Sequence, residues 1–333
     1  MKVKEQLHEE NYSLYNGDCI DVLTTLPDNS VDLAVYSPPF CGLYIYSSDK
    51  RDMSNAETPE DFLKHYEFMV SEMARVTKPG RINAVHCQDV ITHTTKHNLW
   101  DFPHEIIELH KKYGFTYNNR ITIWKEPLEV RMRTMVQSLT HKNIVEDSTR
   151  CFTAIPDYVL IFRRAGENKV PVTHPNGLGE FGYFGETPFL KMHEEQYGNY
   201  EHFKKKWANF NGDPKENKFA HIIWQRYASS VWDDIRGKNT LPFKDAKEED
   251  DEKHVHPLQL DVIDRIVELY SNKNELVFTP FMGVGSEVYS PVSLGRKGLG
   301  VELKDSYFKQ AILNMKDAET RFRKVNENIK LEL

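Results

Sequence analysis

The chain has 333 residues, of which 39% are hydrophobic and 28% charged, with a formal net charge of −7. This composition excludes a disordered chain, and the net charge disfavours a nucleic-acid partner unless local basic patches bind it. No apolar run reaches the roughly 18 residues of a membrane span, and the N-terminus lacks a signal-peptide core, so we expect a cytoplasmic protein. The four cysteines form no C-x-x-C pair, which indicates neither a zinc site nor a disulfide framework.

The N-terminal part of the chain predicts alternating strands and helices. A strand over residues 12–16 leads through Gly17-Asp18 to a helix over residues 20–26, and a second, apolar strand follows over residues 31–36. Asp18 thus follows a strand, where its carboxylate can cap the next helix or accept a hydrogen bond from the amino group of a ligand.

The second strand runs directly into Ser37-Pro38-Pro39-Phe40. Each proline fixes its φ at about −65° and lacks an N–H group, so the backbone leaves the sheet as a stiff, extended turn. The Ser37 hydroxyl and the Pro38 carbonyl then act as acceptors at the carboxyl edge of the sheet, with the Phe40 ring beside them. Because ligands bind at this edge in open α/β sheets, the segment is either a rigid connection or part of a binding site.

The alternation continues towards the middle of the chain. A helix begins after the cap residue Thr58, with Pro59 in its first turn, and ends before Lys78-Pro79-Gly80. Further strands are predicted over residues 81–86, 115–124 and 155–163, and a helix over residues 101–113. Strands that are apolar on both sides and alternate with helices predict an α/β protein with a mostly parallel sheet, covered by helices on both faces.

Two less regular segments, residues 124–150 and 165–240, combine basic and aromatic side chains. The basic residues singled out are Arg131 and Arg133 in the first segment and Lys204, Lys205 and Lys206 in the second. Such a mixture suits phosphates and exposed bases, but a solvated surface explains either segment equally well by itself.

The C-terminal part predicts a strand over residues 275–279 that opens into a glycine turn, then a helix and another strand over residues 297–303. Gly283 and Gly285 allow a tight turn and a close approach to a ligand, and Glu302 is placed to bind ribose hydroxyls. The turn lacks the third glycine of the dinucleotide fingerprint and a Walker lysine. An adenosyl ligand without phosphates therefore fits better than NAD or ATP.

Together these segments resemble the DNA amino-methyltransferases that use S-adenosylmethionine. Three segments resemble motifs of that family. Its catalytic motif is similar to Ser37-Pro38-Pro39-Phe40, and its F-x-G-x-G cofactor loop is similar to Phe281-Met282-Gly283-Val284-Gly285. Its ribose-binding segment is similar to Gly300-Val301-Glu302. Two further segments are similar to its adenine-contacting acid (Gly17-Asp18) and to the motif before the cofactor loop (Lys253-His254 with Pro257-Leu258-Gln259). The catalytic motif precedes the cofactor motif, which is the order of the circularly permuted beta class.

One position departs from the family pattern. Thr279 stands where the family usually has an aspartate before Pro280-Phe281. The methionine amino group of the cofactor would then need another partner, which the loop backbone, Ser286 or Asp18 can provide. The departure also leaves a non-enzymatic DNA-binding module as an alternative. Protein-glutamine and RNA amino-methyltransferases are a further alternative, although in them the cofactor loop normally precedes the Pro-Pro motif.

The resemblance implies a Rossmann-like methyltransferase fold with a mostly parallel seven-stranded sheet, circularly permuted, and an inserted target-recognition region. It divides the chain into a catalytic half (residues 1–164), a target-recognition insertion (165–240) and a cofactor-binding half (241–333). The implied catalytic residues are Ser37, Pro38, Pro39 and Phe40. The implied S-adenosylmethionine-binding residues are Asp18, Lys253, His254, Pro280, Phe281, Gly283, Gly285, Ser286 and Glu302. DNA is the implied partner, contacted by Arg131, Arg133, Lys204, Lys205 and Lys206; no metal and no membrane are expected, and a homodimer is left open.

The implied reaction is methyl transfer to the exocyclic amine of a base flipped out of DNA. The Ser37 hydroxyl and the Pro38 carbonyl accept hydrogen bonds from the amine, and Phe40 stacks on the base. Within the family, serine at the first motif position goes mainly with cytosine N4, whereas aspartate or asparagine goes mainly with adenine N6. Cytosine is therefore the expected target, with adenine as the alternative.

Overall fold

The computed structural model describes residues 3–39, 52–56, 58–91, 99–134, 140–151, 153–175, 198–208, 210–246, 257–318 and 320. The strands in chain order are β1 (Val3–His8), β2 (Tyr12–Gly17), β3 (Val31–Tyr36), β4 (Thr77–Cys87), β5 (Val90–Ile91), β6 (Leu99–Trp100), β7 (Phe115–Ile123), β8 (Asp157–Arg164), β9 (Val231–Trp232), β10 (Leu276–Thr279) and β11 (Lys297–Glu302). The helices are α1 (Cys19–Leu23), α2 (Pro59–Val76), α3 (Phe102–Lys112), α4 (Pro127–Thr134), α5 (His141–Asp147), α6 (Tyr200–Ala208), α7 (Lys218–Tyr227), α8 (Leu260–Tyr270), α9 (Ser286–Ser293) and α10 (Asp305–Met315).

Within these residues, nine strands form one sheet in the order β1-β2-β11-β10-β3-β4-β8-β7-β9. The pairs from β2 to β4 across the centre are parallel, as is β7–β9, whereas β1–β2, β4–β8 and β8–β7 are antiparallel. The mostly parallel α/β sheet is thus confirmed. The expected count of seven strands is wrong, because β1 and β9 extend the two edges. β1 is largely exposed and has only two apolar residues, Val3 and Leu7, and β9 has only two residues, so neither has a clear strand pattern in the sequence.

Helices cover both faces of the sheet, which explains why β3 is buried along its whole length. Ala34 and Tyr36 on one side of β3 belong to the core that α1, α2 and α3 form with the sheet. Leu33 and Val35 on the other side pack in a second core with α8. A strand covered on both faces must be apolar at every position, and this is the pattern that the sequence shows.

The first long helix begins where its cap predicts but gives way to a strand earlier than expected. Thr58 Oγ1 accepts a hydrogen bond from the Asp61 backbone N–H at 3.1 Å, and Pro59 lies in the first turn. The helix then passes directly into β4 at Thr77, so that Lys78-Pro79-Gly80 lie within the strand rather than in a connecting turn. The pairing of β4 with β3 shifts register here, and this irregularity accommodates Pro79 and the positive φ of Gly80, 73°.

Part of the segment 165–240 is tied to the main sheet. The backbone N–H groups of Thr122 and Trp124 donate to the carbonyls of Ser230 and Trp232 at 2.8 and 3.0 Å, which joins β9 to β7. The buried Arg265 of α8 lies over the ring of Trp232 at 4.7 Å and pairs with Asp234 at 2.9 Å. The target-recognition role of this segment, the domain boundaries and the circular permutation stay predictions.

The strand order brings sequence-distant residues to one edge. β2, β11, β10, β3 and β4 are parallel neighbours, so their carboxyl ends lie side by side. In register, Glu302 lies opposite Asn16, and Phe278 opposite Ala34. The antiparallel β8 begins at this same edge, and β7 ends there. Over the described residues, none of the helices has the length and apolar character that crossing a membrane requires.

Candidate active site

The Pro-Pro corner after β3 lies beside the loop after β10, because these strands are parallel neighbours. The ring of Tyr36, the last residue of β3, lies 6.2 Å from the ring of Phe281 between centroids. Tyr36 is fully buried, and its hydroxyl donates to Nε2 of the buried His110 at 3.0 Å. These contacts fix the end of β3, and Ser37 follows it at the edge of the sheet where the loop after β10 also begins.

A chain of polar side chains leads from Ser37 into the protein. Ser37 Oγ lies 3.1 Å from His86 Nδ1, and His86 Nε2 lies 3.0 Å from Asp157 Oδ2. The ammonium of Lys125 lies 2.5 Å from the same Asp157 oxygen. The four residues come from the ends of β3 and β4, the start of β8 and the end of β7. Strand register therefore positions all of them.

The charges in this chain are paired. Asp157 is only 7% exposed. Burial alone would raise the pKa of its carboxyl group, but the Lys125 ammonium and the His86 ring outweigh burial and hold the pKa well below its usual range. Asp157 is therefore an ionised carboxylate that can only accept hydrogen bonds.

The glycine loop after β10 depends on left-handed backbone. Gly283 has a φ of 51° and Gly285 a φ of 98°, values that other residues rarely adopt. A Cβ on Gly285 would also lie 3.1 Å from the Cβ of Ala311 in α10, whereas the side of Gly283 faces open space. The backbone N–H of Gly285 donates to the Met282 carbonyl at 2.7 Å and closes the turn. Gly285 then forms the N-terminal cap position of α9.

Glu302, at the end of β11, accepts hydrogen bonds from the loop it faces. Its carboxylate accepts from the backbone N–H groups of Gly283 at 2.9 Å and Lys304 at 2.8 Å. Burial, reinforced by the carboxylate of Asp52, raises the pKa of Glu302 to about 8. Burial and the nearby Glu302 likewise raise the pKa of Glu287, in the first turn of α9, to about 8.

This pocket fits S-adenosylmethionine by the chemistry of its groups. Ser286 Oγ is buried and has no hydrogen-bond partner among the described residues, which leaves it available to a ligand. Gly283 leaves open space where a side chain would stand. Glu302 can accept from the ribose hydroxyls, and the two carboxylates, Glu287 and Glu302, favour a ligand with cationic groups. Sulfonium and ammonium groups are the cations of S-adenosylmethionine.

Asp18 caps the next helix, which is one of the two roles that the sequence allowed. Its carboxylate accepts from the Ile20 backbone N–H at 2.8 Å and so caps α1. The neighbouring Asn16 side chain donates to the Glu302 carbonyl at 3.0 Å, which ties the end of β2 to the end of β11. Asp18 therefore lies at the cofactor edge as well, and its contact with an adenine stays a prediction.

The remaining predicted site residues divide into two groups. Pro280 is buried and Phe281 half-buried in the loop after β10. Phe40, Lys253 and His254 lie outside the described residues. Arg131 on α4 and Lys205 and Lys206 on α6 are exposed, and Arg133 and Lys204 belong to the same two helices. Their contacts with DNA stay predictions. Among the described residues, no group of three His, Cys, Asp or Glu side chains is arranged to hold a metal ion.

Sequence reasoning missed four residues of this site: His86, Lys125, Asp157 and Glu287. His86 reads in the sequence as a core or surface histidine, and Asp157 and Lys125 lie at the ends of unremarkable strands. Only the antiparallel β8 brings Asp157 to His86. Glu287 carried a signal, since it lies two residues after Gly285, where the sequence predicts a helix.

Comparisons with known proteins identify a matching family and several relatives. A family model described as DNA methylase, N6_N4_Mtase, matches residues 31–313. The Type II methyltransferase M.BglII of Bacillus subtilis is 24% identical over 297 residues, which are 88% of this chain and 66% of that protein. The Type II methyltransferase M1.MboII of Moraxella bovis is 21% identical over 299 residues, which are 90% of this chain and 94% of that protein.

Two solved structures share the fold. The PvuII DNA methyltransferase, described as cytosine-N4-specific, has a TM-score of 0.60 at 13% identity and covers 98% of this chain and 94% of its own. TTHA0409 of Thermus thermophilus, solved in complex with S-adenosyl-L-methionine, has a TM-score of 0.57 at 21% identity and covers 93% of this chain and 96% of its own. The Rossmann-like methyltransferase fold expected from the sequence is thus confirmed.

Proposed function

We propose, from the premise that this chain belongs to the N6_N4_Mtase family of DNA methylases, that it methylates the exocyclic N4 amine of cytosine in DNA. Family membership gives the coarser reaction, S-adenosylmethionine-dependent methyl transfer to an amino group of a DNA base. The observation that carries the choice of cytosine is Ser37, a hydroxyl rather than a carboxylate or amide, at the head of the Pro-Pro corner.

The residues of the Pro-Pro corner can make the target amine a better nucleophile. The nitrogen lone pair of an exocyclic amine is delocalised into the base, which makes the amine a poor nucleophile. The Ser37 hydroxyl and the Pro38 carbonyl accept one N–H each, which draws the nitrogen towards a tetrahedral shape and aims its lone pair. Because both acceptors stand on a stiff segment fixed by the buried Tyr36, this orientation needs little reorganisation during the reaction.

The opposite wall of the pocket binds the methyl donor. Glu302 accepts from the ribose hydroxyls, and Ser286 supplies a free hydroxyl to the methionine end. S-adenosylmethionine, when bound, supplies a sulfonium methyl group, whose bond to sulfur breaks as the bond to the amine nitrogen forms.

We assign the methionine ammonium group to Glu287. Thr279, where the family usually has an aspartate, is fully buried, and its Oγ1 accepts from the Phe281 backbone N–H at 3.4 Å. Glu287 is a buried carboxylate close to Glu302, with no ion pair to a cation within the described residues. A buried anion without a partner is costly, and the ammonium group would neutralise it.

Contact with DNA is assigned to the exposed basic side chains Arg131, Lys205 and Lys206. Phosphate contacts by such residues make binding fall steeply as salt rises. Replacing these three by glutamine should weaken DNA binding and flatten its salt dependence while cofactor binding is retained.

Nucleoside mass spectrometry tests the proposed function. The protein is expressed in a host that lacks amino-methyltransferases of its own, and total DNA is digested to nucleosides. We expect N4-methylcytosine with the wild type and none with the Pro38→Ala variant, which should still bind S-adenosylmethionine. N6-methyladenine alone would assign the adenine reaction instead. The absence of any methylated amine from both DNA and RNA would overturn the proposal, and methylated RNA alone would transfer it to RNA.

A further inference from the structure

On the basis of the function proposed above, we infer that His86, held by Asp157, fixes the Ser37 hydroxyl as a hydrogen-bond acceptor and receives through it the proton that the target amine releases. The three side chains form a continuous path, with 3.1 Å between Ser37 Oγ and His86 Nδ1 and 3.0 Å between His86 Nε2 and Asp157 Oδ2. Ser37 is the catalytic residue of this path, and His86 and Asp157 are positioning residues that act through it.

The direction of each hydrogen bond follows from Asp157. An ionised carboxylate can only accept, so the hydrogen atom between the two residues belongs to His86 Nε2. A neutral imidazole that carries its hydrogen on Nε2 presents Nδ1 as an acceptor. Ser37 must then donate its own hydroxyl hydrogen to His86 Nδ1. The lone pairs of Ser37 Oγ remain for the pocket, where the amine needs an acceptor.

Lys125 stabilises the carboxylate to which His86 donates. Its ammonium lies 2.5 Å from the Asp157 oxygen that His86 also contacts, and both side chains of that ion pair are nearly buried. The carboxylate is therefore already neutralised by one cation. Asp157 thus keeps its negative charge while it accepts the hydrogen bond from His86 Nε2.

The hydrogen bond to His86 fixes the orientation of the Ser37 hydroxyl, which would otherwise rotate. A hydroxyl is both a donor and an acceptor, and a freely rotating one can turn its hydrogen towards the amine instead of its lone pair. A carboxylate at the same position would need no such orientation. The backbone holds the orienting residues rigidly: Tyr36 pairs with Val85 across β3 and β4, and Cys87 pairs with Tyr158 across β4 and β8.

The proton balance of the step is complete. The amine nitrogen gains a methyl group and loses one N–H proton, which Ser37 Oγ takes up. The hydroxyl hydrogen of Ser37 passes at the same time to His86 Nδ1. The ring becomes an imidazolium whose Nε2–H still faces Asp157. It returns its proton to solvent after the methylated DNA leaves, so the cycle needs neither an oxidant nor a reductant.

The tautomer of His86 is measurable without substrate or cofactor. In ¹⁵N-labelled wild-type protein at neutral pH, two-bond ¹H–¹⁵N correlation spectra distinguish a ring protonated on Nε2, on Nδ1 or on both. The His86 signals are identified by their loss in the His86→Gln variant. We expect the Nε2–H tautomer. The Nδ1–H tautomer or an imidazolium would overturn the inference, because Ser37 could then not donate to His86.

Single-turnover methylation of unmethylated genomic DNA tests the kinetic role. His86→Gln should slow transfer roughly 10²-fold, the lower end of general acid–base effects, while the Kd for S-adenosylmethionine and the melting temperature stay close to those of the wild type. His65→Gln, which changes an exposed histidine of α2, is the matched control and should retain the wild-type rate. Asp157→Asn, which can donate towards His86, should lower the rate and change the tautomer signals.

A double-mutant cycle separates action through Ser37 from a merely structural role. If His86 acts through Ser37, adding His86→Gln to Ser37→Ala should cost little further rate. Rate losses that simply multiply would overturn the inference. A wild-type protein that methylates DNA while His86→Gln keeps the full rate refutes this inference alone. A wild-type protein that modifies no base refutes the proposed function, and the tautomer measurement still decides the orientation of Ser37.

Discussion

The two walls of the pocket differ in how their buried carboxylates are paired. On the wall of β3, β4 and β8, the one buried carboxylate of the Ser37 path, Asp157, is paired with Lys125 and His86, and its pKa lies well below the usual range. On the wall of β10 and β11, burial raises the pKa values of Glu287 and Glu302 to about 8, and no described cation pairs with either.

The difference matches the two substrates. The base amine is neutral and needs an oriented acceptor, so the first wall balances its own charges and leaves only a hydroxyl and a carbonyl facing the pocket. The methyl donor carries positive charge, and the carboxylates of the second wall have no cationic partner among the described residues, so a cationic ligand would stabilise their ionised forms. One wall thus contributes orientation and the other electrostatic attraction.

Among the proposed variants, Ser37→Ala should have the largest effect on methyl transfer, and it changes only the first wall. Ser37→Ala removes an acceptor from the amine and should reduce single-turnover methyl transfer roughly 10²- to 10³-fold, as for other preorganised polar groups of active sites. The Kd for S-adenosylmethionine, measured by titration calorimetry, should stay within about twofold of the wild type, because the donor wall is intact. A comparable loss in both quantities would show that Ser37 supports the cofactor pocket instead.

The second variant, Glu302→Gln, changes the wall of β10 and β11, which binds the methyl donor. Glu302→Gln removes a charged acceptor from the ribose hydroxyls and should raise the Kd for S-adenosylmethionine about 10- to 100-fold, which corresponds to roughly 1.5–3 kcal/mol for hydrogen bonds to a charged group. At saturating cofactor, the rate of methyl transfer should recover most of its wild-type value. A rate that stays low at saturation would contradict the division of roles between the walls.

The raised pKa values predict how cofactor affinity depends on pH. Ribose hydroxyls donate to the ionised form of Glu302, so the affinity for S-adenosylmethionine should increase as pH rises and level off above about 8. In Asp52→Asn the midpoint should move to lower pH, because the Asp52 carboxylate contributes to the raised pKa of Glu302. Calorimetric titrations across this range measure both midpoints, and an affinity independent of pH would contradict the assignment.

The raised pKa values of Glu287 and Glu302 also predict that the free energy of unfolding decreases as pH rises, whereas the cofactor affinity increases. Both carboxyl groups ionise at lower pH in the unfolded chain than in the folded one, so their contribution to the free energy of unfolding is lost as pH rises from about 5 to 8. The melting temperature of the free protein should fall over this range, and S-adenosylmethionine should restore part of the loss.

The smallest expected effect concerns the backbone of the donor wall. Gly285→Ala places a Cβ on a residue with a φ of 98° and close to Ala311, and should cost about 1–2 kcal/mol of the free energy of unfolding together with cofactor affinity. Gly114→Ala is the matched control, since its φ is 85° and nothing lies within 4 Å of the added Cβ. The control should lose stability without losing cofactor affinity, by denaturant titration and calorimetry.

The segments that the sequence predicted correctly carry their signals locally. β3 is apolar at every position and is followed by two prolines, and the glycine turn after β10 has its glycines where the backbone is left-handed. These signals depend on backbone geometry within a few residues, so they can be read without knowledge of the fold. The failure at β4, which begins at Thr77 rather than after Gly80, shows the limit, because pairing with β3 overrides the proline and glycine.

The sequence by itself determined the α/β class, the stiff Pro-Pro corner and the glycine loop with its carboxylate, because side-chain sterics and strand burial act over short distances. The tertiary structure alone decided that His86, Asp157 and Lys125 stand in line behind Ser37, since this alignment depends on the antiparallel register of β8 against β4 and β7. It also decided which carboxylates are paired and which are not, because the distance between charges in a folded chain bears no relation to their separation in sequence.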